Sequence, residues 1–445
     1  MTTRAEAKAR GITDAGPFVI TAGEIFSDGA VLELIAGTPE TNRPSLLLWK
    51  KGAVTVGSQV EYEGRIYEAP QLDPVLYHAL RLPGGCDGYG SARILIGDIK
   101  EVVTQYFPLP ERHAELLARF PVTTWLSDRL PISPVLLITG IDESSAISLL
   151  RLLHCLCRHA LLIAEMNATG LQRLPMHLSP TLLLSQFEIP RALERNLRAS
   201  SYRGLHLLGS RGALISPFSA KAIYCGNAAA LDILANGAIH IPLPALSSPL
   251  DRLNDELLNQ ISDRIQPRLL MYRLKNMSKV GACQCDFAGF STSTRQLVSN
   301  LAMCLPDEKE MVAETAELLR PQEEELRARR FLDLKYVLVE ILSGTLHEGK
   351  ARKIAVKELT QYANALLTSR GELREYTPED VGGRLSDLGI SRHRSSAGQH
   401  VFLNHENSVI IHNWARAYEF SITAGSSTAC RECLTNQAMD SVEVT

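Results

Sequence analysis

The sequence lacks the charge imbalance that marks a protein with a strongly acidic or basic surface. Its 445 residues include 46 Lys and Arg against 49 Asp and Glu, which gives a formal net charge of −3. A chain this close to neutrality makes no global electrostatic case for a nucleic-acid or membrane partner. A partner of either kind would have to meet a local patch.

The sequence also lacks a long uninterrupted apolar run. The most apolar stretch, 149–163, is short for a membrane span, and Arg151, His154, Arg158 and His159 interrupt it. The first residues, MTTRAEAKARG, have no apolar segment of the kind that a secretory signal requires. These absences predict a cytoplasmic, bacterial-type protein with no membrane partner.

Cysteines are present, but their spacing is not that of a disulfide framework. The nine cysteines are odd in number and irregularly placed in a long chain, unlike the disulfide sets of small secreted domains. Cys430 and Cys433 form a lone C-x-x-C pair, and Cys283 and Cys285 are poorly spaced to complete it. Because a zinc site normally needs four ligands, we predict reduced thiols and no metal.

The order of sequence patterns predicts five segments in an α/β chain that is long enough for two to four domains. Short β-rich runs separated by turn residues come first, and they include a hairpin with its turn at Glu63-Gly64. Alternating strands and helices follow, and then helices alone, among them 253–265, 268–277 and a long helix at 323–342. The segments are a small β-rich module at 1–72, an α/β core at 73–246, a helical lid at 247–330, a winged-helix-like domain at 331–421 and a disordered tail at 422–445.

The α/β core begins with the clearest strand of the sequence. Residues 135–140 form a continuous apolar run that ends in Gly140, as expected of a strand buried on both faces, and a helix follows from Ser145. Alternation of strands and helices predicts a parallel sheet. Further strands are predicted at 160–164, 180–184, 204–208, 221–225 and 238–243.

The connection after this first strand is where a phosphate-binding loop would lie. Such a loop follows the pattern G-x-x-x-x-G-K-[ST], in which the Lys neutralises phosphate and the Ser or Thr holds Mg²⁺. Counted from Gly140, the last three positions fall on Ser145, Ala146 and Ile147. Only the first glycine is kept, and Asp142 and Glu143 add negative charge where phosphate would bind.

The third strand provides a second, independent comparison with an active ATPase. An active P-loop ATPase follows this strand with an Asp for Mg²⁺ and usually with a Glu that activates water. Here Leu182-Leu183-Leu184 is followed by Ser185 and Gln186, and Glu188 comes two residues late. The acidic pair is therefore predicted to be absent.

Residues 110–245, about a third of the chain, resemble degenerate relatives of the bacterial helicase-like and primase-associated AAA+ P-loop ATPases of mobile elements. The resemblance is carried by Thr124-Trp125-Leu126, the strand 134–140, Ser148-Leu149-Leu150-Arg151-Leu152-Leu153 and Pro180-Thr181-Leu182-Leu183-Leu184-Ser185-Gln186. It implies a P-loop NTPase-like sheet core whose apolar framework is kept.

The same resemblance implies two further polar elements. The family's sensor residue corresponds to Asn227, and its Ser-Arg pair, which supplies an arginine to a neighbouring subunit, aligns with Asn236-Gly237. The arginine is therefore absent. A different α/β fold, in which Gly140 simply ends a strand, remains the alternative.

The C-terminal segment has the pattern of a winged helix. Thr377-Pro378-Glu379-Asp380 is a strong helix start, Gly389 is a helix end, and 390–393 and 400–404 would form a hairpin. The segment resembles the C-terminal winged-helix modules of the same families, which implies nucleic-acid contacts. The candidate contacts are Arg384, Arg392, His393 and Arg394.

Charge leaves the partner of this segment open. Residues 351–420 contain nine Lys or Arg and eight Asp or Glu, a net of +1, whereas DNA-binding domains are usually more basic. Nucleic-acid contact and protein–protein docking both fit this balance.

Together these patterns predict a non-hydrolysing, AAA-like pseudo-ATPase scaffold that associates with nucleic acid. The prediction includes no catalytic residue and no cofactor, and it leaves residual ATP binding open. The partners considered are DNA, a second copy of the chain and a partner ATPase. The alternatives are an active DNA-dependent ATPase or helicase with a non-standard site, and a protein-interaction adaptor without nucleic-acid binding.

Overall fold

The computed structural model of the chain describes ten segments, and the chain divides into two units, Met1–Arg320 and Pro321–Thr445. The described segments are 18–37, 43–209, 212–226, 237–245, 253–281, 287, 289–306, 308–348, 352–396 and 398–420. None of the described helices is long and apolar enough to cross a membrane.

The first unit begins with short strands, as the sequence predicts. Strands β2 to β5 form a four-stranded antiparallel sheet, and the β6–β7 hairpin pairs with β1, which lies parallel to β7. The strands are β1 Phe18–Ile20, β2 Gly23–Ile25, β3 Val31–Ile35, β4 Ser45–Lys50, β5 Ala53–Gly57, β6 Gln59–Tyr62 and β7 Arg65–Glu68. The predicted turn at Glu63-Gly64 is confirmed: both residues have positive φ, which is the backbone geometry of a two-residue hairpin turn.

Three helices connect this module to the main sheet. They are α1 Pro74–Ala79, α2 Ala92–Tyr106 and α3 Glu111–Leu126. Helix α3 is buried along nearly its whole length and packs against α2. The indole nitrogen of its Trp125 donates to the carbonyl of Leu156, so this central aromatic ring also satisfies its one polar group.

The core of the first unit is a five-stranded parallel sheet with the order β14-β8-β13-β10-β9. Its strands are buried Leu-, Ile- and Ala-rich runs, as expected where helices cover a parallel sheet. In chain order the elements are β8 Val135–Thr139, α4 Glu143–His154, β9 Ala160–Ile163, α5 Ala168–Leu171, β10 Thr181–Ser185, α6 Arg191–Ala199, β11 Leu207–Leu208, β12 Leu214–Ile215, β13 Lys221–Cys225 and β14 Ile239–Pro242.

One predicted member of this sheet is wrong. The segment 204–208 does not enter the parallel sheet, because β11 pairs with β12 as a separate antiparallel hairpin. Leu208 and Leu214 are 67% and 72% exposed. The strand is only two residues long and its side chains are exposed, so no helix has to cover it as helices cover a parallel sheet. The alternation of strand and helix patterns in the sequence does not reveal this exposure.

The helical part differs from the predicted boundaries. Residues 253–265 and 268–277 were expected to form two helices, but α7 runs from Asp255 to Asn276 through Pro267. Buried Ile265, Leu269 and Leu270 flank the proline, and their packing offsets the backbone hydrogen bond that proline cannot make. Two more helices follow, α8 Thr292–Met303 and α9 Lys309–Phe331.

The long helix expected to run to Leu342 is interrupted at Asp333. The carboxylate of Asp333 accepts hydrogen bonds from the backbone N–H groups of Lys335 and Tyr336, at 2.7 and 3.2 Å, and so begins a new helix. The boundary between the two units falls inside α9.

In its described residues, the second unit contains the end of α9, four further helices and a three-stranded antiparallel sheet with the order β15-β17-β16. The elements are α10 Leu334–Glu348, β15 Lys353–Ala355, α11 Val356–Ser369, α12 Pro378–Asp387, β16 Arg392–Ser395, β17 Gly398–Phe402 and α13 His405–Ala417. The predicted start of α12 is confirmed, since Thr377 and Asp380 form a reciprocal capping box. Gly389, with φ of 75°, follows its last turn as predicted.

A buried ion cluster joins the N-terminal module to the core. Glu33 on β3 is completely buried, and Arg158 donates to both of its carboxylate oxygens at 2.8 and 3.1 Å. Arg273 on α7 forms ion pairs with Glu33 and with Asp128, and His159 Nε2 lies 2.9 Å from Glu33 Oε1. Three distant parts of the chain, β3, the segment of Arg158 and His159, and α7, thus meet at one carboxylate.

Candidate nucleotide site and nucleic-acid interface

The ends of three neighbouring strands form the candidate nucleotide site. Strand β13 lies between β8 and β10, and all three are parallel. Their last residues, Thr139, Cys225 and Ser185, therefore lie at the same edge of the sheet. Ligands of open α/β sheets bind outside the carboxyl ends of the strands, so this edge is the candidate ligand site.

The connection from β8 to α4 is three residues long, from Gly140 to Asp142. Asp142 is the N-cap of α4, and its carboxylate accepts from the backbone N–H groups of Ser144 and Ser145 at 3.1 and 3.3 Å. The hydroxyls of both serines donate to the same carboxylate. The N–H groups that a phosphate would need are thus already bonded to a side chain of the chain itself.

This carboxylate is held in its charged form. The hydrogen bonds from Ser145 and Ser144 lower the pKa of Asp142, against a smaller opposing effect of burial. A helix N-terminus favours an anion because its unpaired N–H groups carry a partial positive charge. Asp142 supplies that anion.

The three remaining positions of the phosphate-loop pattern lie on α4 itself. Ser145 and Ala146 are completely buried, and Ala146 belongs to the main hydrophobic core. Ile147 is half-buried on the first part of the helix. A lysine at 146 would therefore enter the apolar core instead of reaching a phosphate.

The positions of the expected acidic pair are also tied into the structure. The Ser185 hydroxyl donates to Glu143 Oε1 at 3.2 Å, which joins the end of β10 to the start of α4. The Gln186 side chain accepts from the N–H of Met166 and donates to the carbonyl of Glu188, both at 2.9 Å. Ser185 and Gln186 hold the loops at this edge together.

Two residues at this edge were not identified from the sequence, Tyr224 and Leu243. The Tyr224 hydroxyl donates to the Gly140 carbonyl at 3.1 Å, and the backbone N–H of Leu243 donates to Thr139 at 2.7 Å. A Cβ atom on Gly140 would lie 2.6 Å from the Leu243 carbonyl oxygen. Close backbone packing thus accounts for the glycine that the loop pattern retains.

The electrostatic environment of the site is negative. Burial and the nearby Glu143 and Asp142 carboxylates raise the pKa of Tyr224, since each disfavours a further negative charge there. Among the described residues, no group of three or more His, Cys, Asp and Glu side chains could hold a metal ion.

Several predicted residues lie outside the described part of the chain. They are Asn227 and Asn236 of the sensor and Ser-Arg positions, Cys283 and Cys285, and the 422–445 segment with Cys430 and Cys433.

The four basic residues proposed for nucleic-acid contact lie on two elements of the second unit. Arg384 is exposed on α12, whereas Arg392, His393 and Arg394 lie on β16. Arg384 pairs with Asp387 at 3.2 Å, and the His393 ring packs edge-on against Phe402. The structure thus brings three of the four together on one strand.

Arg392 is engaged in contacts within its own unit. Its guanidinium donates to Gln399 at 3.0 Å and to the Ser386 hydroxyl at 2.8 Å, and it packs against Gly382 of α12. Arg394 is exposed, and no described residue forms an ion pair with it. Arg392 therefore fastens the β16–β17 hairpin to α12, and Arg394 presents a charge to solvent.

Comparison with solved structures finds distant similarity. The chain is similar to the apo C-terminal region of NrS-1, at 10% identity over 84% of this chain and 97% of that one, with a TM-score of 0.36. It is also similar to Drosophila ORC bound to DNA (11%, 74% and 93%, TM-score 0.20) and to Cdc6p from Pyrobaculum aerophilum (15%, 70% and 94%, TM-score 0.21). No protein-family model and no curated protein matches the sequence. At these scores, the similarities support no conclusion about activity.

Proposed function

We propose that the chain is a non-hydrolysing, P-loop NTPase-like scaffold of AAA type that associates with nucleic acid through a C-terminal winged helix. The observation that carries the proposal is the Asp142 carboxylate at the N-terminus of α4. It occupies the place of a nucleotide phosphate, and four donors hold it there.

Charge makes this edge of the sheet a poor phosphate site. A bound phosphate would meet Asp142 and Glu143 without a lysine at position 146 to offset them. The missing charge-assisted hydrogen bond alone is worth about 1.5–3 kcal/mol. Without Asp or Glu at 185 and 186, Mg²⁺ would also lack its protein ligand.

The relation to active P-loop ATPases rests on which strands are neighbours. A nucleotide site of that kind draws on the loop after the first strand, the acidic pair after the third and the sensor after a later strand. In this chain the corresponding strands are β8, β10 and β13. They are parallel, and β13 lies between the other two. This arrangement supports the proposal that the chain keeps the framework of a nucleotide site while the charged residues of that site are replaced.

The second unit supports the nucleic-acid part of the proposal. Its helices and three-stranded antiparallel sheet support the interpretation as a winged helix, with α12 as the proposed recognition helix and β16–β17 as the proposed wing. Arg384 on α12 and Arg394 on β16 are exposed. A recognition helix enters the major groove, and basic wing residues contact phosphate.

This proposal is tested by assaying ATP turnover and duplex binding with the full chain. We expect no phosphate release above that of a mock purification without the chain, and duplex binding that weakens steeply with salt. ATP hydrolysis that co-purifies with the chain at about 1 s⁻¹ or more would contradict the proposal, because this rate is in the range of working phosphoryl-transfer enzymes. Salt-independent or absent duplex binding would favour the protein-adaptor alternative.

A further inference from the structure

A buried lysine lies at the opposite edge of the parallel sheet from the candidate nucleotide site. Lys221 is the first residue of β13 and is only 1% exposed. Its ammonium group donates to the hydroxyls of Ser133 and Ser201, both at 3.0 Å. No carboxylate among the described residues forms an ion pair with it.

An unpaired cation at this depth is costly. Buried charges in proteins are normally paired or they lose their charge. Burial lowers the pKa of Lys221 to about 7, and no neighbouring acid opposes the effect. The group therefore changes charge near neutral pH, and an added anion would stabilise the protonated form.

Lys221 also lines a cavity of about 130 Å³. A cavity of about 150 Å³ can hold a benzene molecule, so this space fits an ion of phosphate or sulfate size. Arg198 and Tyr202 also line it, and both are exposed, so the cavity reaches the surface. Helix α8 contributes Ser293, Gln296 and Asn300 to the lining.

The residues that line the cavity favour a negatively charged ligand. Its described residues include two cations, Lys221 and Arg198, and no Asp or Glu. The remaining polar groups are hydroxyls and amides, which can donate hydrogen bonds to oxygen atoms. Apart from Lys221 and Arg198, the only ionisable group among the described lining residues is the Tyr202 phenol.

We propose that this cavity, which we name the Lys221 cavity, binds a small tetrahedral oxyanion between Lys221 and Arg198. The oxyanion supplies the counter-charge that the buried ammonium lacks. The site is separate from the candidate nucleotide site, since Lys221 begins the strand and Cys225 ends it at the nucleotide edge. The proposal does not depend on ATP binding or DNA binding.

Calorimetric titration of the full chain with sodium sulfate tests the proposal. Sulfate keeps the same charge across the working pH range, so a pH dependence reports on the protein. We expect saturable binding at pH 6 that weakens by at least about tenfold at pH 8.5, because the ammonium group loses its proton between these values. Absence of saturable binding at pH 6 would overturn the proposal.

Two variants locate the binding site. Lys221→Met should weaken sulfate binding at least about tenfold, while Lys357→Met, which changes an exposed lysine of α11, should leave it unchanged. Because Lys221 is buried, Arg198→Ala provides a second test at an exposed position, with an expected loss of about threefold. Equal binding by the wild type, Lys221→Met and Arg198→Ala would overturn the assignment.

The natural source of the oxyanion is distinguished by two further titrants. Inorganic phosphate and adenosine 5′-monophosphate are titrated in parallel at pH 6. Tighter binding of inorganic phosphate indicates a free ion, whereas tighter binding of the nucleotide indicates a phosphomonoester whose remainder extends through the mouth. Both results support the site, and failure of both ligands to bind would contradict it.

Discussion

The carboxylate of Asp142 accepts hydrogen bonds from both the backbone N–H and the hydroxyl of Ser145, with 3.3 Å between Oδ2 and the backbone nitrogen. In the loop pattern of an active ATPase, position 145 is a glycine whose N–H contributes to the phosphate cradle. Here the same N–H is bonded to a side chain three residues earlier. The helix start is thus complete without a ligand.

Replacing Asp142 with alanine should destabilise the first unit by about 1 kcal/mol, the usual cost of losing an N-cap. Asp142→Asn keeps an oxygen acceptor at the same position and should cost a few tenths of that amount. Equilibrium unfolding in urea, followed by tryptophan fluorescence, measures both. Equal stability of Asp142→Ala and the wild type would show that the cap contributes nothing.

Gly140→Ala should destabilise the chain by about 1–3 kcal/mol, the usual effect of overpacking. The added methyl group would lie 2.6 Å from the Leu243 carbonyl oxygen, which belongs to the backbone and cannot move freely. Gly84→Ala is the matched control, since no atom lies within 4 Å of its added Cβ. A loss of stability in the control as large as that in Gly140→Ala would refute the packing explanation.

Glu33→Gln should destabilise the first unit by about 3–5 kcal/mol, because it leaves the buried Arg158 and Arg273 without their shared carboxylate. Glu61→Gln changes an exposed residue of β6 and serves as the control. Thermal unfolding of the two variants in parallel measures the difference. Similar melting temperatures would mean that the cluster does not hold the N-terminal module in place.

The same cluster predicts a loss of stability in acid. Burial raises the pKa of Glu33, but Arg158 and Arg273 lower it by more, so the folded-state pKa lies below the ordinary value of 4.5. The stability from this depressed pKa is present above about pH 4.5 and is lost as the pH falls towards the folded-state value. A wild-type stability curve should therefore fall below pH 4.5 more steeply than that of Glu33→Gln. Parallel curves would contradict the prediction.

Arg394→Ala should weaken duplex binding and should reduce the slope of log affinity against log salt by about 1, as expected for the loss of one phosphate contact. Arg264→Ala removes an exposed arginine from α7 of the first unit and should leave the slope unchanged. Fluorescence anisotropy over a series of salt concentrations provides both slopes. An unchanged slope in Arg394→Ala would remove this residue from the interface.

Local features of the fold could be predicted from the sequence. The Glu63-Gly64 turn and the Thr377 capping box both follow from short-range chemistry, and both are confirmed. The apolar runs also predicted all five strands of the parallel sheet, although a sixth predicted strand is not part of it. The prediction for 204–208 is wrong because its two-residue strand is exposed and lies outside the parallel sheet. A short apolar pattern does not reveal whether a strand is exposed.

The central features of the site depend on long-range contacts that one sequence does not reveal. Glu33 and Arg273 are distant in the chain, and only the fold brings them into an ion pair. The approach of Leu243 to Gly140 likewise requires β14 to lie beside β8. The capping role of Asp142 did have a signal, since Asp followed by Glu and two serines is a helix start. The phosphate-loop pattern predicts only a repulsive charge at this position.

Calorimetric titration of the full chain with ATP and Mg²⁺ tests the central claim most directly. If the Asp142 carboxylate occupies the phosphate position, the wild type should show no saturable heat up to millimolar nucleotide. Saturable binding with a Kd of about 1 μM, which corresponds to about −8 kcal/mol, would contradict the claim if it weakened in Ile141→Glu, which adds negative charge at an exposed position of the same loop. That result would place the nucleotide phosphates at the N-terminus of α4 after all.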